Sequence, residues 1–160
     1  MKSIRIGQGY DVHKLEPGRP FWLGGIEVPH NQGAVGHSDA DVLIHVICDA
    51  LLGASSQRDI GFHFPDTDPQ YKGIDSKLLL KEVLDKVHHA GYQIGNIDAT
   101  VCLQAPKISK LVPQMAQCLS QIIGIPVGDI SIKATTTERL GFVGKEEGVS
   151  ALAVVLIFKD

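Results

Sequence analysis

Residues 149–158 read VSALAVVLIF, nine apolar side chains and a single serine. No other stretch constrains the fold as strongly. At ten residues the run is half of the ~20 that a membrane-spanning helix needs. Its β-branched content favours a strand, and apolar residues without alternation predict a central strand buried on both faces.

The rest of the chain surrounds that strand with a mixed order of elements. Ile4 and Ile6 alternate with Arg5 and Gly7, so residues 3–13 are predicted as a strand. Phe21–Leu23 and Ile26–Val28 flank Gly24-Gly25 as a two-residue hairpin, and residues 33–37 are predicted as a loop. Ser38, with Asp41 three residues on, is predicted to cap a helix over 39–52 that Gly53 stops. Residues 55–74 exceed the usual connection length, which marks them as functional or partly helical. Apolar residues at helical spacing predict a helix over 76–90, alternation a strand over 92–103, and Pro113 and Gly124 bound a helix over 110–123. A short strand follows at 130–134.

This order predicts one α+β domain over residues 1–160, a two-layer sandwich of one mixed sheet with helices on one face. A sheet covered on one side leaves the other bare. The strand at 149–158 is too apolar to face water, so association of several copies through the sheet is expected.

A chain of 160 residues buries roughly 68–70% of its unfolded surface and needs no disulfide staples. Cys48, Cys102 and Cys118 are an odd, widely spaced set without a C-x-x-C pair, which predicts reduced core residues in a reducing compartment. The net charge of −3 argues against nucleic acid or a membrane surface as partner. An anionic ligand must then be held by local groups. The opening MKSIRIGQGYDVH enters an alternating pattern without a leader signature, so a cytoplasmic protein is expected, or an organellar one lacking its transit peptide.

Five segments carry candidate chemistry. In Asp11-Val12-His13 the two polar residues share one strand face, and His45 follows on a helix where Asp41, His45 and Asp49 recur every four residues. If that helix crosses the strand, two imidazoles and a carboxylate form a three-ligand site with an open position, the pattern of catalytic zinc. The residues alone also allow a surface D-x-H pair and an ordinary helix histidine. His37-Ser38 at the start of the helix offers an anion site or a plain cap. Lys133-Ala134-Thr135-Thr136-Thr137-Glu138 offers donors for phosphate and a hard oxygen ligand for Mg²⁺, or a polar loop. Gln104-Ala105-Pro106-Lys107 presents a strand end to a flat base, or a turn. Asp59-Ile60-Gly61 with Phe64-Pro65-Asp66-Thr67-Asp68 offers carboxylates to a polyol, or a solvated loop.

Taken together and in this order, GYDVH at 9–13, GHSDADVLIH at 36–45, DALLGA at 49–54, FPDTDPQYKG at 64–73, QAPK at 104–107 and KATTTERLGF at 133–142 resemble the 2-C-methyl-D-erythritol 2,4-cyclodiphosphate synthases of the non-mevalonate isoprenoid pathway. The resemblance spans essentially the whole chain. It implies a homotrimer with sheets facing a central axis and three active sites at subunit junctions. The implied substrate is 4-diphosphocytidyl-2-C-methyl-D-erythritol 2-phosphate, whose 2-phosphate attacks the β-phosphorus of its own diphosphate and expels CMP, a phosphorus–oxygen lyase reaction. By the same resemblance Asp11, His13 and His45 hold one zinc ion per subunit, with a β-phosphate oxygen as fourth ligand, and Glu138 holds a Mg²⁺ or Mn²⁺ on the diphosphate.

His37 and Thr136 match the family's transition-state positions, and Ser38 adds a phosphate contact. Asp59 and Gly61, with Ile60, are expected at the methylerythritol and the loop of Phe64, Pro65, Asp66, Thr67 and Asp68 over it. Leu103, Gln104, Ala105, Pro106, Lys107, Ile108, Ser109 and Thr135 are expected at the cytidine end, supplied by a neighbouring subunit. Val12, Thr137, Phe142 and Lys145 complete the expected substrate contacts. Asp49 is expected behind the metal ligands or at an interface. Tyr10 stands where family members often have Phe, and Lys145 where many carry Arg. These are positions through which family trimers bind isoprenoid diphosphates along the axis, and Lys145 keeps the charge without the bidentate fork. Two other readings stay open to the residues, a metal-dependent phosphohydrolase and a non-enzymatic ligand-binding trimer.

Overall fold

A computed structural model of the chain describes residues 3–159. The elements run β1 (Ser3–Pro17), β2 (Trp22–Leu23), β3 (Ile26–Glu27), β4 (Gln32–Ala34), α1 (Val42–Ala54), α2 (Ile60–His63), α3 (Ser76–His89), β5 (Gln93–Cys102), α4 (Val112–Ile123), β6 (Ile130–Thr135), α5 (Gly141–Gly144) and β7 (Gly148–Lys159). Single 3₁₀ turns occupy Pro69–Tyr71 and Val127–Asp129.

Five strands form one mixed sheet in the order β4-β1-β7-β5-β6. The long β1 and β7 pair antiparallel, with Asp11 opposite Ala151 and His13 opposite Val149. β5 runs antiparallel to β7 and parallel to β6, and α4 is the crossover that parallel pairing requires. The helices lie on one face. α1 packs on β1 and β7, α3 packs on α1, and α4 bridges α3 and β6. Held between the sheet and α3, α1 is buried along almost its whole circumference, from Val42 to Ala54.

Two glycines set the spacing between sheet and helix. A Cβ on Gly7 would run into the Ala50 carbonyl oxygen, and one on Gly9 into that of Val46. Only glycine lets the backbones of β1 and α1 come this close. The hairpin turn forms as expected, with Gly24 and Gly25 both at positive φ (62° and 81°), the requirement of a type I′ turn.

The structure corrects several expected boundaries. α1 starts at Val42 and its cap is Asp41, whose carboxylate accepts the Ile44 amide at 3.0 Å. Ser38 is turned instead toward His45. The same Asp41 carboxylate accepts the Gly24 and Gly25 amides at 2.9 and 2.7 Å, so one buried aspartate ties the hairpin turn to the helix. β1 runs on to Pro17 and pairs there with β4, whose Gly33 and Ala34 lie in the segment predicted as a loop. The connection over 55–74 contains α2 and a 3₁₀ turn. Ser76–His89, Gln93–Cys102 and Val112–Ile123 match the predicted helix, strand and helix within two residues.

β7 is central, as expected, but within one chain it is not covered on both faces. Val149, Ala151, Ala153, Val155 and Ile157 point into the core, while Val154 is 43% exposed. Beside it Ile4, Ile6 and Tyr10 of β1 are 62%, 70% and 57% exposed. A contiguous apolar sheet face of this kind marks an interaction surface. The three cysteines are free, and among the described residues no helix is long and apolar enough to cross a membrane.

Candidate metal centre

Asp11 and His13 are alternate residues of β1 and so share the face that meets α1. Gly9, two positions earlier, brings that face against Val46, and the residue preceding Val46 is His45. Three donor atoms therefore converge. His13 Nε2 lies 3.0 Å from His45 Nδ1, Asp11 Oδ2 lies 3.0 Å from His13 Nε2, and Asp11 Oδ2 lies 3.1 Å from His45 Nδ1. Four tetrahedral ligands at about 2.0–2.1 Å from zinc sit about 3.3 Å from one another, so this triangle already has nearly the size the ion needs. Among the described residues it is the one cluster of three such groups.

The outer atoms of the triad are engaged as metal ligands require. His13 Nδ1 lies 3.0 Å from the Val35 carbonyl oxygen, which can only accept, so Nδ1 carries the hydrogen and Nε2 offers its lone pair to the centre. His45 Nε2 meets the hydroxyls of Ser38 and Ser76, both at 3.0 Å. Asp11 Oδ1 accepts the Val12 amide at 2.7 Å, which leaves Oδ2 for the ion. Burial works to raise the Asp11 carboxyl, but hydrogen bonds and charge from His13 and His45 outweigh it and hold it well below the usual carboxylate range. Lone pairs from two imidazoles and a carboxylate aimed at one point repel unless a proton or cation lies among them. Two nitrogens and one oxygen suit a divalent ion of the zinc class.

The triad opens into a cavity of about 340 Å³ lined also by His37, Ser38, Ile60, Gly61, Phe64, Asp66, Tyr71, Ile74 and Leu79. His37 Nε2 donates to the Asp68 carbonyl at 3.1 Å and the His37 carbonyl accepts the Gly73 amide at 2.7 Å, which fastens the 64–73 segment over the cavity. Asp59 caps α2 by accepting the Phe62 amide at 2.9 Å, and Asp68 caps the following turn. Asp59, Pro65, Thr67 and Asp68 do not line the cavity, and the Val12 side chain, 39% exposed, lies on the opposite sheet face. Asp49 accepts the Ile60 amide at 2.7 Å. It is therefore the anchor of α2 on α1. Its carboxyl is raised from the usual value chiefly by burial, partly offset by that amide.

A second cavity, of about 210 Å³, lies where the parallel strands β5 and β6 end. Leu103, Gln104, Pro106, Lys107, Ile108, Ser109, Thr135 and Thr136 line it; Ala105, joined to Pro106 by a cis peptide, does not. Next to it Thr136 donates to Glu138 at 3.0 Å and Thr137 to the Leu140 carbonyl at 2.7 Å. Glu138 stands outside the metal cluster, and Phe142 and Lys145 are exposed. The two cavities share no lining residue. The structure thus brings Asp11, His13, His37, Ser38 and His45 into one pocket and Gln104, Lys107, Thr135 and Thr136 into another. The sequence reading did not place Tyr71, Ile74, Leu79, Ser76 or the Val35 carbonyl at the site: Leu79 reads as part of a helix stripe, and the others carry no spacing signal.

The sequence profile described as the YgbB family matches residues 4–158. A relative from Porphyromonas gingivalis named 2-C-methyl-D-erythritol 2,4-cyclodiphosphate synthase is 58% identical over 156 residues, which is 98% of this chain and 96% of that protein. The bifunctional IspDF of Campylobacter jejuni superposes with a TM-score of 0.96 at 39% identity, and this chain, matched in full, spans 43% of that polypeptide. The IspF of Plasmodium falciparum, solved as a CDP complex, superposes with a TM-score of 0.87 at 34% identity over 99% of this chain and 98% of that one.

Proposed function

The chain belongs to the YgbB family, and from that premise we propose that it is a 2-C-methyl-D-erythritol 2,4-cyclodiphosphate synthase. It converts 4-diphosphocytidyl-2-C-methyl-D-erythritol 2-phosphate to the cyclic diphosphate with loss of CMP. The observation that carries this reading is the triangle of Asp11, His13 and His45, with donor separations of 3.0–3.1 Å, at the mouth of a cavity large enough for a phosphorylated polyol. The reaction forms one O–P bond and breaks another. The 2-phosphate oxygen adds to the β-phosphorus, and the bridging oxygen leaves with CMP, a phosphorus–oxygen lyase step. Catalysis then consists of positioning and charge neutralisation.

Asp11, His13 and His45 would hold one zinc ion per subunit, and Glu138 a Mg²⁺ or Mn²⁺ carried with the diphosphate. Such ions supply Lewis acidity to phosphate oxygens and a fixed point for them. His37, in the triad cavity with Ser38, positions the phosphates, and Thr136 does so from the other cavity. Ile60, Gly61, Phe64 and Asp66 enclose the methylerythritol, with Asp59 shaping their turn, and exclude water. Leu103, Gln104, Lys107, Ile108, Ser109 and Thr135 receive the cytidine end at the cleft where β5 and β6 stop.

One substrate must touch both cavities, although they share no lining residue, and the sheet face bearing Ile4, Ile6, Tyr10 and Val154 is open. A homotrimer with sheets facing its axis meets both requirements, because a neighbour's nucleotide cavity then completes the metal cavity of each subunit. Tyr10 and Lys145 are assigned to the axial side, where an isoprenoid diphosphate is the proposed ligand. The active chain is a single domain over residues 1–160, working in the cytoplasm.

The test is ³¹P NMR of purified protein with the substrate and Mg²⁺, with and without chelator. Cyclic diphosphate and CMP that disappear on chelation are expected. Open phosphates would establish hydrolysis instead, and bound nucleotide without turnover would reduce the chain to a binding module.

A further inference from the structure

Asp39 has no part in the reading above, yet its carboxylate is fully engaged. Oδ2 accepts the Ser76 amide at 3.0 Å. Oδ1 accepts the Asp41 amide at 3.1 Å and, in a short contact, the Ser76 hydroxyl. Ser76 is completely buried in the first turn of α3, and its Oγ is also the atom 3.0 Å from His45 Nε2. The 36–41 loop and α1, which follows it directly, meet the distant start of α3 on this one hydroxyl.

Proton counting then favours one direction. A serine hydroxyl has one hydrogen and two lone pairs. Both Asp39 oxygens already accept backbone amides, so the Ser76 hydrogen points at Oδ1. Ser76 Oγ offers only a lone pair to His45, so this contact forms when Nε2 brings the hydrogen. Ser38 Oγ, also 3.0 Å from Nε2, accepts the Ala40 amide at 3.1 Å and lies 3.3 Å from Ser76 Oγ. Its own hydrogen fits the remaining lone pair of Ser76, and it too faces Nε2 as an acceptor. A neutral imidazole with hydrogen on Nε2 has its free lone pair on Nδ1, the nitrogen that faces Asp11 and His13.

We propose that Asp39 is a positioning residue which, through the Ser76 hydroxyl, holds His45 as the Nε2–H tautomer and so presents Nδ1 to the metal ion. The inference rests on the metal-site reading and deepens it. His13 needs no such relay, because the Val35 carbonyl can only accept. His45 does need one, because a hydroxyl beside it could donate as readily as accept. An Asn at position 39 has one acceptor oxygen where both Asp39 oxygens accept backbone amides, so its NH2 meets the Ser76 or the Asp41 amide and the fixed acceptor of the Ser76 hydrogen is disturbed. Ser76 is then free to donate to His45 Nε2, and the ring hydrogen moves to Nδ1, the ligand atom.

Long-range ¹H–¹⁵N correlation spectra of the metal-free full-length chain read the tautomer directly. Wild type is expected to show a protonated Nε2 at His45. Asp39→Asn is expected to show a mixed or reversed tautomer and about 10–100-fold weaker Zn²⁺ binding in competition with a chromophoric chelator, the usual cost of losing a partner behind a metal ligand. Ser76→Ala, read the same way, shifts both measurements in the same direction and serves if Asp39→Asn does not fold. A wild-type His45 with a bare Nε2 overturns the proposal without any variant. Variants that keep Nε2–H and bind Zn²⁺ within about twofold of wild type overturn it while leaving the metal site standing. A wild type that binds no Zn²⁺ at the triad removes the metal-site reading and the proposal together.

Discussion

Replacing Gly9 by alanine tests whether the metal centre depends on the close approach of β1 and α1. The added Cβ would fall inside the van der Waals surface of the Val46 carbonyl oxygen, with the Val46 carbonyl carbon at 2.9 Å and the Ala50 amide at 3.1 Å. All three are backbone atoms, so no side chain can rotate away and α1 must lift from the sheet. In a close-packed interior a movement on the order of 1 Å is the minimum relief. Overpacking of this kind costs about 1–3 kcal/mol, or about 2–12 °C in melting temperature at 2–4 °C per kcal/mol for a chain of this size. The functional cost is larger. His45 rides on the displaced turn while Asp11 and His13 stay with β1, and a misplacement of about 1 Å costs about 10²-fold in rate. Gly53 is the control. It sits in the same helix with nothing within 4 Å of an added Cβ, and Gly53→Ala is expected to gain about 0.5–1 kcal/mol. Thermal melts and Zn²⁺ competition on both variants decide the matter. A Gly9→Ala protein that melts with wild type and binds Zn²⁺ as tightly would refute the reasoning.

Four further outcomes are expected. Stripping the metal from wild type should lower its melting temperature by about 5–10 °C, since a ligand held at 100-fold its Kd contributes about 2.7 kcal/mol and each kcal/mol is about 2–4 °C. Asp11→Ala should melt alike with and without chelator, and a chelator-insensitive wild type would contradict the site. Asp49→Ala should speed amide exchange at Ile60, whose N–H loses its acceptor; unchanged exchange there would remove the anchor. In metal-free protein the Asp49 carboxyl lies above its unfolded value because of burial, so its ionisation opposes folding. That penalty is absent below the unfolded pKa of about 3.9 and grows as pH rises through the folded value. Asp49→Asn, which keeps an acceptor, should therefore gain on wild type between pH 4 and neutrality in denaturant titrations. Ile6→Glu places a charge on the open sheet face and should convert a trimer into the 17.2 kDa chain by light scattering; an unchanged assembly would place the interface elsewhere.

Much of this was legible in the sequence for a physical reason. Strand alternation puts Asp11 and His13 on one face whatever the tertiary context, and a helix stripe fixes which residues travel with His45. The stripe itself misleads, because its three polar residues do different work. Asp41 caps the helix and binds the hairpin, His45 faces the metal centre, and Asp49 holds α2. Spacing assigns all three to one side of a helix, but only the elements packed there decide what each side chain meets. The same limit hides Ser76, which reaches His45 across 31 positions, and β4, whose three residues become a strand only because Leu15–Pro17 lie beside them. It also explains the one misjudged feature of β7. Local sequence states how apolar a strand is, not how many chains supply its cover. VSALAVVLIF reads as a strand buried on both sides, whereas one chain provides helices for a single face. The same chain has its metal ligands and its strand-end cleft in two cavities that share no residue. One arrangement answers both deficits. If copies close sheet to sheet around an axis, the apolar run is buried as its composition demands, and each metal cavity gains a nucleotide cleft from the neighbour. On that view the hydrophobicity of residues 149–158 is a functional requirement as well as a folding one, because no active site is complete without the contact it drives.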